Sequence, residues 1–528
     1  MSPSLSHRLD AAISSLAQTY PGPGGAVAVL HEGKVITRRC WGYASLERRL
    51  PFTPASLFRI CSITKQFTCA VMLDRYPDPE KLIPYIKKRL PHLGDQSPTL
   101  YQLAHNQSGL RDYWAIAMLH GAAIEGTFNN GDARRIIAGT HSLQFTPGTS
   151  YSYVNQNFRL ISDAMEEESG LSFAELLQHH VFQKANMQRA CLVADTRAMP
   201  DGTTGYEGNA EEGFRPAPNN IYWTGDAGIG ASLDDMIAWE QFIDTTRDTP
   251  HSLYNRLTVP VTFSDGTPSS YGFGLQRTTI SGHAITAHSG ALRGWRSCRL
   301  HCAEKRVSVV VFLNHMSPAQ LAAWDVFNAF LGNKKATPSQ PKPTSSSRLL
   351  GLWFEHSTGL SARIEADGNA LRLRYLIVPE RLNIHDIDQA ENSAVTLRYK
   401  DGKIHMHRPS ENRTSILTPY PTEKTDDVSS LVGRYACHDL EHSELEITLQ
   451  GGLLYGGFSG LLGEGRMERL TEIGRDLWIF PCPRALDHTA PGDWTLAFKR
   501  EGGHIRHVRV GCWLARNLIY ERKTSFSS

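Results

Sequence analysis

No stretch of this 528-residue chain approaches the ~18 consecutive apolar residues of a membrane-spanning helix, so no membrane partner is expected. Charge of one sign is also missing. Lys and Arg number 55 against 53 Asp and Glu, with no long basic block, which argues against nucleic acid as a partner. Cysteine is sparse and scattered: Cys40, Cys61, Cys69, Cys191, Cys298, Cys302, Cys437, Cys482 and Cys512 form no C-x-x-C pair. Cys298 and Cys302 have no matching second pair for a zinc site, so reduced thiols and a cytoplasmic setting are expected. The opening MSPSLSHRLDAAISSLAQTYPGPGG lacks the apolar core of a signal peptide, and its LDAAISSLAQTY portion reads as an amphipathic helix. What remains, 41% apolar and 20% charged residues, is ordinary globular composition. The length predicts about two to four domains.

Residues 24 to 43 read as a β-hairpin turning at Glu32–Gly33. A mostly helical region follows over residues 98 to 190, and Ser232 is a plausible N-cap for a helix continuing to Ile243. Strand patterns return at Tyr271–Gln276, His283–Gly290 and the continuous apolar run Val307–Leu313, before a closing helix. Strands at both ends with helices between predict an α+β unit whose terminal segments share one antiparallel sheet. Residues 332–348 form a Pro/Ser-rich linker, and short alternating strands with glycine turns follow it. A second polar break falls at 419–430. The expected division is therefore an α+β unit over 1–331 and two small all-β units, 349–418 and 431–528. The β units restart alike, with Gly351-Leu-Trp353 and Gly433-Arg-Tyr435 lying 82 residues apart. Both are predicted to be antiparallel barrels, because closure removes sheet edges.

The stretch Leu57–Ala70, LFRICSITKQFTCA, sets Ser62 three residues before Lys65 in a run of helical spacing. Residues three apart share a helix face, so the amine lies beside the hydroxyl. A serine hydroxyl becomes a nucleophile when a neighbouring base takes its proton, and a desolvated amine can do so. By itself the pairing is weak. Ser339–Lys342 repeats it around Pro341, where the prolines argue against a helix, and an isolated copy is more often a solvated face. Tyr153-Val154-Asn155 is the only Y-x-N among 18 tyrosines. Its phenol could relay a proton to a leaving group, and the Asn155 amide could orient substrate or Lys65; the structural alternative is a buried aromatic. His288-Ser289-Gly290 ends a strand-like segment, where His288 could bond to the Tyr153 hydroxyl or the substrate and Gly290 admit a substrate backbone. The alternative there is a solvent-facing histidine at a strand end.

Together, S-I-T-K at Ser62, Y-V-N at Tyr153 and H-S-G at His288 resemble the three motifs of the penicillin-recognising serine hydrolases, in order and context. LAHNQSGL at Leu103–Leu110, FTPG at Phe145–Gly148 and GDAGIGASLDDMIAW add to the likeness, which spans about residues 10–331. The resemblance implies a β-lactamase/transpeptidase-like fold. The third motif departs from the penicillin-binding pattern, which carries Lys-[Thr/Ser]-Gly. A histidine there, mostly neutral near pH 7, favours substrates without a carboxylate at that spot. With two β units appended, the whole chain is similar to the bacterial D-stereospecific aminopeptidase family. In that family a loop from the last barrel enters the active site and an acidic residue meets the substrate's free amine. The corresponding loop here is Pro483, Arg484, Ala485, Leu486, Asp487, His488, Thr489, Ala490, Pro491, Gly492 and Asp493, with Asp487 as the candidate carboxylate. The structural alternative for these residues is an ordinary long turn.

The resemblance implies hydrolysis of peptides, amides or esters with a free N-terminal D-residue, D-alanine preferred, through an acyl-enzyme on Ser62. Lys65 and Tyr153 would move the proton, and the N–H groups of Ser62 and Ala291 would hold the oxyanion. No metal or organic cofactor is called for. β-Lactams are expected as possible inhibitors, and a homodimer is implied. The rival readings are a D,D-peptidase or esterase of the same superfamily and, from another class, an inactive peptidoglycan-fragment binding protein. The β units could also bind lipid or sugar.

Overall fold

A computed structural model describes residues 4–333, 347–483, 486 and 491–523. In the first unit the elements that matter here are α1 (Leu5–Thr19), β1 (Gly24–His31), β2 (Lys34–Ser45), α2 (Thr64–Arg75), α3 (Gln156–Ser169), α4 (Leu233–Thr246), β3 (Leu275–Ile280), β4 (His283–Leu292), β5 (Trp295–Cys302), β6 (Val307–Leu313) and α5 (Ala319–Leu331). Glu32 and Gly33 join β1 to β2 with φ of 51° and 71°, the positive values that a tight hairpin between twisted strands requires. The other edge of β1 pairs antiparallel with β6, Gly25 facing Leu313 and His31 facing Val307. The N- and C-terminal parts of the unit thus share an eight-stranded antiparallel sheet, ordered Tyr271–Gly272, β3, β4, β5, β6, β1, β2, Leu50–Pro51.

Alternation along the central strands separates two cores. Val27, Val29, Val309 and Val311 face one side and pack with Leu9, Ile13, Ala322 and Val326 of α1 and α5. Ala26, Ala28, Val310 and Phe312 face the other side and join the larger helical core. In that core, α2 is buried along Thr64–Leu73, polar Lys65, Gln66 and Thr68 included. Polar side chains are rarely enclosed this way unless they have a task or a partner. Ser232 caps α4 and forms a reciprocal capping box with Asp235. Among the described residues no helix is long and apolar enough to cross a membrane.

The chain from Gly351 to Pro419 forms a closed eight-stranded barrel, sealed where Gly351–Glu355 pairs with Arg413–Pro419. The final unit departs from the expected second barrel. It is a ten-stranded sheet without a closed strand order. One kinked segment spans its edges: Glu468–Arg469 pairs with Leu453–Gly460, whereas Thr471–Gly474 pairs with Leu477–Phe480. The kink is at Leu470, whose side chain is buried while its N–H donates to Leu454 O. The two units nevertheless open with the same device. Trp353 Nε1 donates to Leu349 O at 2.8 Å, and the Tyr435 hydroxyl donates to Leu431 O at 2.7 Å, each four residues back. The glycine between them has positive φ in both cases, 129° at Gly351 and 151° at Gly433. The likeness between the two starts is therefore structural. The linker, with Ser339–Lys342, lies largely outside the described residues.

A buried ionic junction ties the three units together. Glu411 of the barrel accepts from Arg413 at 3.0 Å, from Arg516 of the last unit at 3.4 Å and from Trp513 Nε1 at 3.1 Å. Its backbone oxygen accepts from Tyr151 N of the first unit. Burial pushes its carboxyl up, but Arg413, Arg516 and Arg408 together outweigh that and hold it below the usual range.

Candidate active site

The turn that presents Ser62 is strained. Cys61, buried and not a glycine, has φ of 52°, a left-handed conformation costing about 1–3 kcal/mol. Ser62 lies in the 3₁₀ turn Cys61–Ile63 that runs directly into α2, one step before the helix in which the spacing placed it. A 3₁₀ turn stacks residues three apart, so the serine and the lysine still share a face. Lys65 Nζ lies 3.0 Å from Ser62 Oγ, 2.9 Å from Asn155 Oδ1 and 2.7 Å from Asp226 O. Its amine also sits 5.0 Å from the centre of the Tyr153 ring.

Tyr153 is hydrogen-bonded to Ser62, and burial pushes its phenol well above the ordinary range. At neutral pH it is a phenol, not a phenolate. Asn155 precedes α3, and Asp112 fixes which way its amide points. Asp112 Oδ2 accepts from Asn155 N at 2.7 Å and from Asn155 Nδ2 at 3.0 Å, leaving Asn155 Oδ1 for Lys65. Burial raises the Asp112 carboxyl to about 6, against the pull of these donors.

His288 is buried in the middle of β4, which runs on past Gly290 to Leu292, and its partner is not Tyr153. The ring is 6.3 Å from the Tyr153 ring, and Nε2 lies 3.0 Å from the Tyr271 hydroxyl. Nδ1 is 2.6 Å from Ser289 O, a carbonyl that can only accept, so Nδ1 carries the proton and Nε2 accepts from Tyr271. Burial, aided by nearby Lys65, lowers its pKa to about 3, so the imidazole is neutral. Gly290 serves packing. A Cβ there would meet Ile60 O at 2.2 Å and Ser297 Oγ at 2.3 Å, because β4 runs against the strained turn before Ser62. Ala291, the next residue, faces the cavity.

That cavity measures about 200 Å³ and is lined by Ser62, Tyr153, Asn155, His288 and Ala291, together with Trp114 and Trp223. Three walls come from the β units: Ile377 of the barrel, and Pro491 and Trp513 of the last unit. Within the segment 483–493, Pro491 thus reaches the Ser62 cavity. Pro483, Gly492 and Asp493 line the space beside it, and Leu486 is buried in the core. Arg484, Ala485, Asp487, His488, Thr489 and Ala490 lie outside the described residues.

The motifs did not disclose Asp112, Tyr271, Asp226, Ile377 or Trp513. One signal for Trp513 was available. Trp513 and Leu514 occupy the two-residue turn between Cys512 and Ala515, which pair across the hairpin. Such turns normally hold Gly, Asn or Asp, so two large apolar residues mark a tip docked against another surface. Leu514 O accepts from Asp112 N at 3.0 Å, bringing the last unit to the carboxylate that orients Asn155.

Comparison with known proteins agrees with this layout. The family described as Beta-lactamase matches residues 9–332, the part that carries the sheet and Ser62. Two solved structures share that fold at low identity. A D-amino acid amidase from Ochrobactrum anthropi, complexed with L-phenylalanine amide, is 17% identical with a TM-score of 0.51, covering 62% of this chain and 98% of that one. SurE is 18% identical with a TM-score of 0.53, covering 78% of this chain and 98% of that one. The first unit is a β-lactamase-like serine hydrolase domain. Residues 342–521 match the family described as D-aminopeptidase, domain B. The D-aminopeptidase of Gluconobacter oxydans is 59% identical over 99% of this chain and 100% of its own length. That of Cereibacter sphaeroides is 43% identical over 97% and 98%. The chain belongs to the D-aminopeptidase family.

Proposed function

We propose that this enzyme releases N-terminal D-amino acids, D-alanine in preference, from short peptides, amides and esters through an acyl-enzyme on Ser62. The observation that carries the mechanism is the environment of Lys65 Nζ, which among the described residues lies 2.7–3.0 Å from Ser62 Oγ, Asn155 Oδ1 and Asp226 O. An uncharged amine has two N–H donors and one lone pair. With the donors committed to Asn155 Oδ1 and Asp226 O, the lone pair faces the Ser62 hydroxyl and can take its proton. Ser62 Oγ then attacks the carbonyl, the oxyanion sits between the N–H groups of Ser62 and Ala291, and the proton passes through Tyr153 to the leaving amine. Tyr153 suits that step because it rests as a phenol. Water repeats the relay to release the acid.

The neutral His288 supports a substrate with no carboxylate at that position. A cavity of about 200 Å³ walled by tryptophans supports a small side chain on the released residue. The substrate ammonium needs an anion once it leaves water, and Asp487 is assigned to it. β-Lactams that acylate Ser62 would inhibit. A cytoplasmic homodimer completes the reading, and light scattering measures the dimer. The test is a side-by-side assay of D-alaninamide and L-alaninamide, each with a free and an acetylated amine. Only the free D-amide should turn over rapidly. Equal rates on the two enantiomers, or on the acetylated D-amide, would contradict the proposal.

A further inference from the structure

A second cavity, of about 550 Å³, adjoins the one that holds Ser62, and Ala291 and Ile377 wall both. Its chemistry differs. Arg296, Arg363 and Arg374 line it, against Asp493 as the one described carboxylate. Most of these groups are already engaged. Arg374 Nε donates to both oxygens of Glu365, at 3.2 and 3.0 Å. Arg296 Nη1 donates to Leu292 O at 2.6 Å and Trp295 O at 2.8 Å. Asp493 Oδ1 accepts from Cys482 N at 3.3 Å. Arg363 is the exception. It is half-buried on the barrel strand Leu360–Asp367, and no hydrogen bond or ion pair among the described residues engages its guanidinium. A half-buried cation beside a reaction cavity, with neighbouring arginines of the same sign, favours an anionic occupant and disfavours an ammonium.

Resting on the D-aminopeptidase reading, we propose that Arg363 binds the C-terminal carboxylate of a peptide whose N-terminal residue is being released at Ser62. The preferred substrates are then short peptides with both ends free. Such a peptide has one anion on its backbone, at its C-terminus, and His288, uncharged, offers that group nothing at the site itself. A guanidinium can meet a carboxylate with two parallel N–H donors, which fixes position as well as charge. Because the cation belongs to the barrel, this gives the first β unit a part in choosing substrate length.

The test compares kcat/KM for (D-Ala)2, (D-Ala)3 and (D-Ala)4, each as the free acid and as the C-terminal amide, in wild-type enzyme, Arg363→Ala and Arg363→Lys. Wild type is expected to prefer the acid at one of these lengths by about tenfold, as charged hydrogen bonds do. Arg363→Ala should bring the ratio near unity, and Arg363→Lys should retain part of it. Melting temperatures show that the variants are folded; should Arg363→Ala not fold, Arg363→Met replaces it. Equal acid and amide rates in wild type, or a preference that survives Arg363→Ala, would overturn the proposal. So would a preference for D-Ala-D-Glu amide over D-Ala-D-Gln amide greater than that for the free C-terminus, which would assign Arg363 to an acidic side chain. Hydrolysis of D-alaninamide without acid preference defeats this inference alone; no hydrolysis of D-alaninamide defeats the parent reading with it.

Discussion

Asp112 Oδ2 accepts both the main-chain and the side-chain N–H of Asn155, at 2.7 and 3.0 Å, and this turns the Asn155 oxygen onto Lys65. Asp112 is thus a positioning residue for the amine beside Ser62. Its carboxyl, raised to about 6 by burial, must be ionised to accept both bonds without offering a proton of its own. As pH falls through about 6 the carboxyl becomes a donor and kcat/KM should fall with it. Asp112→Asn can place an amide oxygen where Oδ2 sits, so that acid limb should flatten, at lower overall activity. Asp112→Ala should cost about tenfold or more in kcat/KM. A pH–rate profile of each variant reads both effects.

Tyr271 holds His288 through a 3.0 Å bond in which the imidazole accepts. Tyr271→Phe removes the donor and leaves a buried ring nitrogen unsatisfied, at about 1–3 kcal/mol. Denaturant unfolding should show that loss. Since His288 has its pKa near 3, neither wild type nor His288→Gln should owe an activity limb near pH 6.5 to this ring. The appearance of such a limb in wild type, and its removal by His288→Gln, would contradict the assignment.

Acid should destabilise the fold through its buried histidines. Burial lowers the pKa of His105 and His288 to about 3, and of His120, His301 and His315 to about 4. Each group binds a proton more readily once unfolded. The stability they contribute is therefore present above the ordinary histidine pKa and is lost as pH falls below it. His507 is lowered as well, while Asp112, Asp163 and Glu166, whose carboxyls burial raises, work in the opposite direction, three groups against six. Melting temperature should drop between pH 7 and pH 5, and calorimetry at the two pH values measures it.

The ionic junction should matter for both stability and substrate. Glu411→Gln leaves Arg413, Arg516 and Arg408 facing one another without their shared carboxylate. Breaking a buried pair costs about 3–5 kcal/mol. It also weakens the acceptor of the Trp513 indole, so KM should rise. Trp513→Ala should enlarge the cavity and relax its preference for small side chains, measurable with D-phenylalaninamide against D-alaninamide.

Much of the first unit could be read from the letters. The near-continuous apolar runs at Ala26–Leu30 and Val307–Leu313 mark strands buried on both faces. The S-x-x-K spacing survives its shift into a 3₁₀ turn because that geometry also aligns positions three apart. The partner of His288 was not legible. Tyr271 lies 17 residues away, two strands over with β3 between, and only the fold of the sheet brings it there. Nor could local pattern show that Leu470 breaks the strand that spans the last sheet, because the break is set by pairing on two opposite edges. Ile377 and Trp513 carry no motif. They reach the cavity through docking between units; the apolar turn at Trp513–Leu514 hints at such a contact without naming its partner, and Ile377 carries no signal at all.

The central claim is a covalent intermediate on Ser62, prepared by Lys65 and Tyr153. Stopped-flow hydrolysis of D-alanine p-nitroanilide, with intact-mass analysis of enzyme quenched during turnover, tests it most directly. The account predicts a species heavier by one alanyl group, located at Ser62 by peptide mapping, and loss of both adduct and turnover in Ser62→Ala. Turnover at the wild-type rate in Ser62→Ala, or an adduct mapped to another residue, would contradict it.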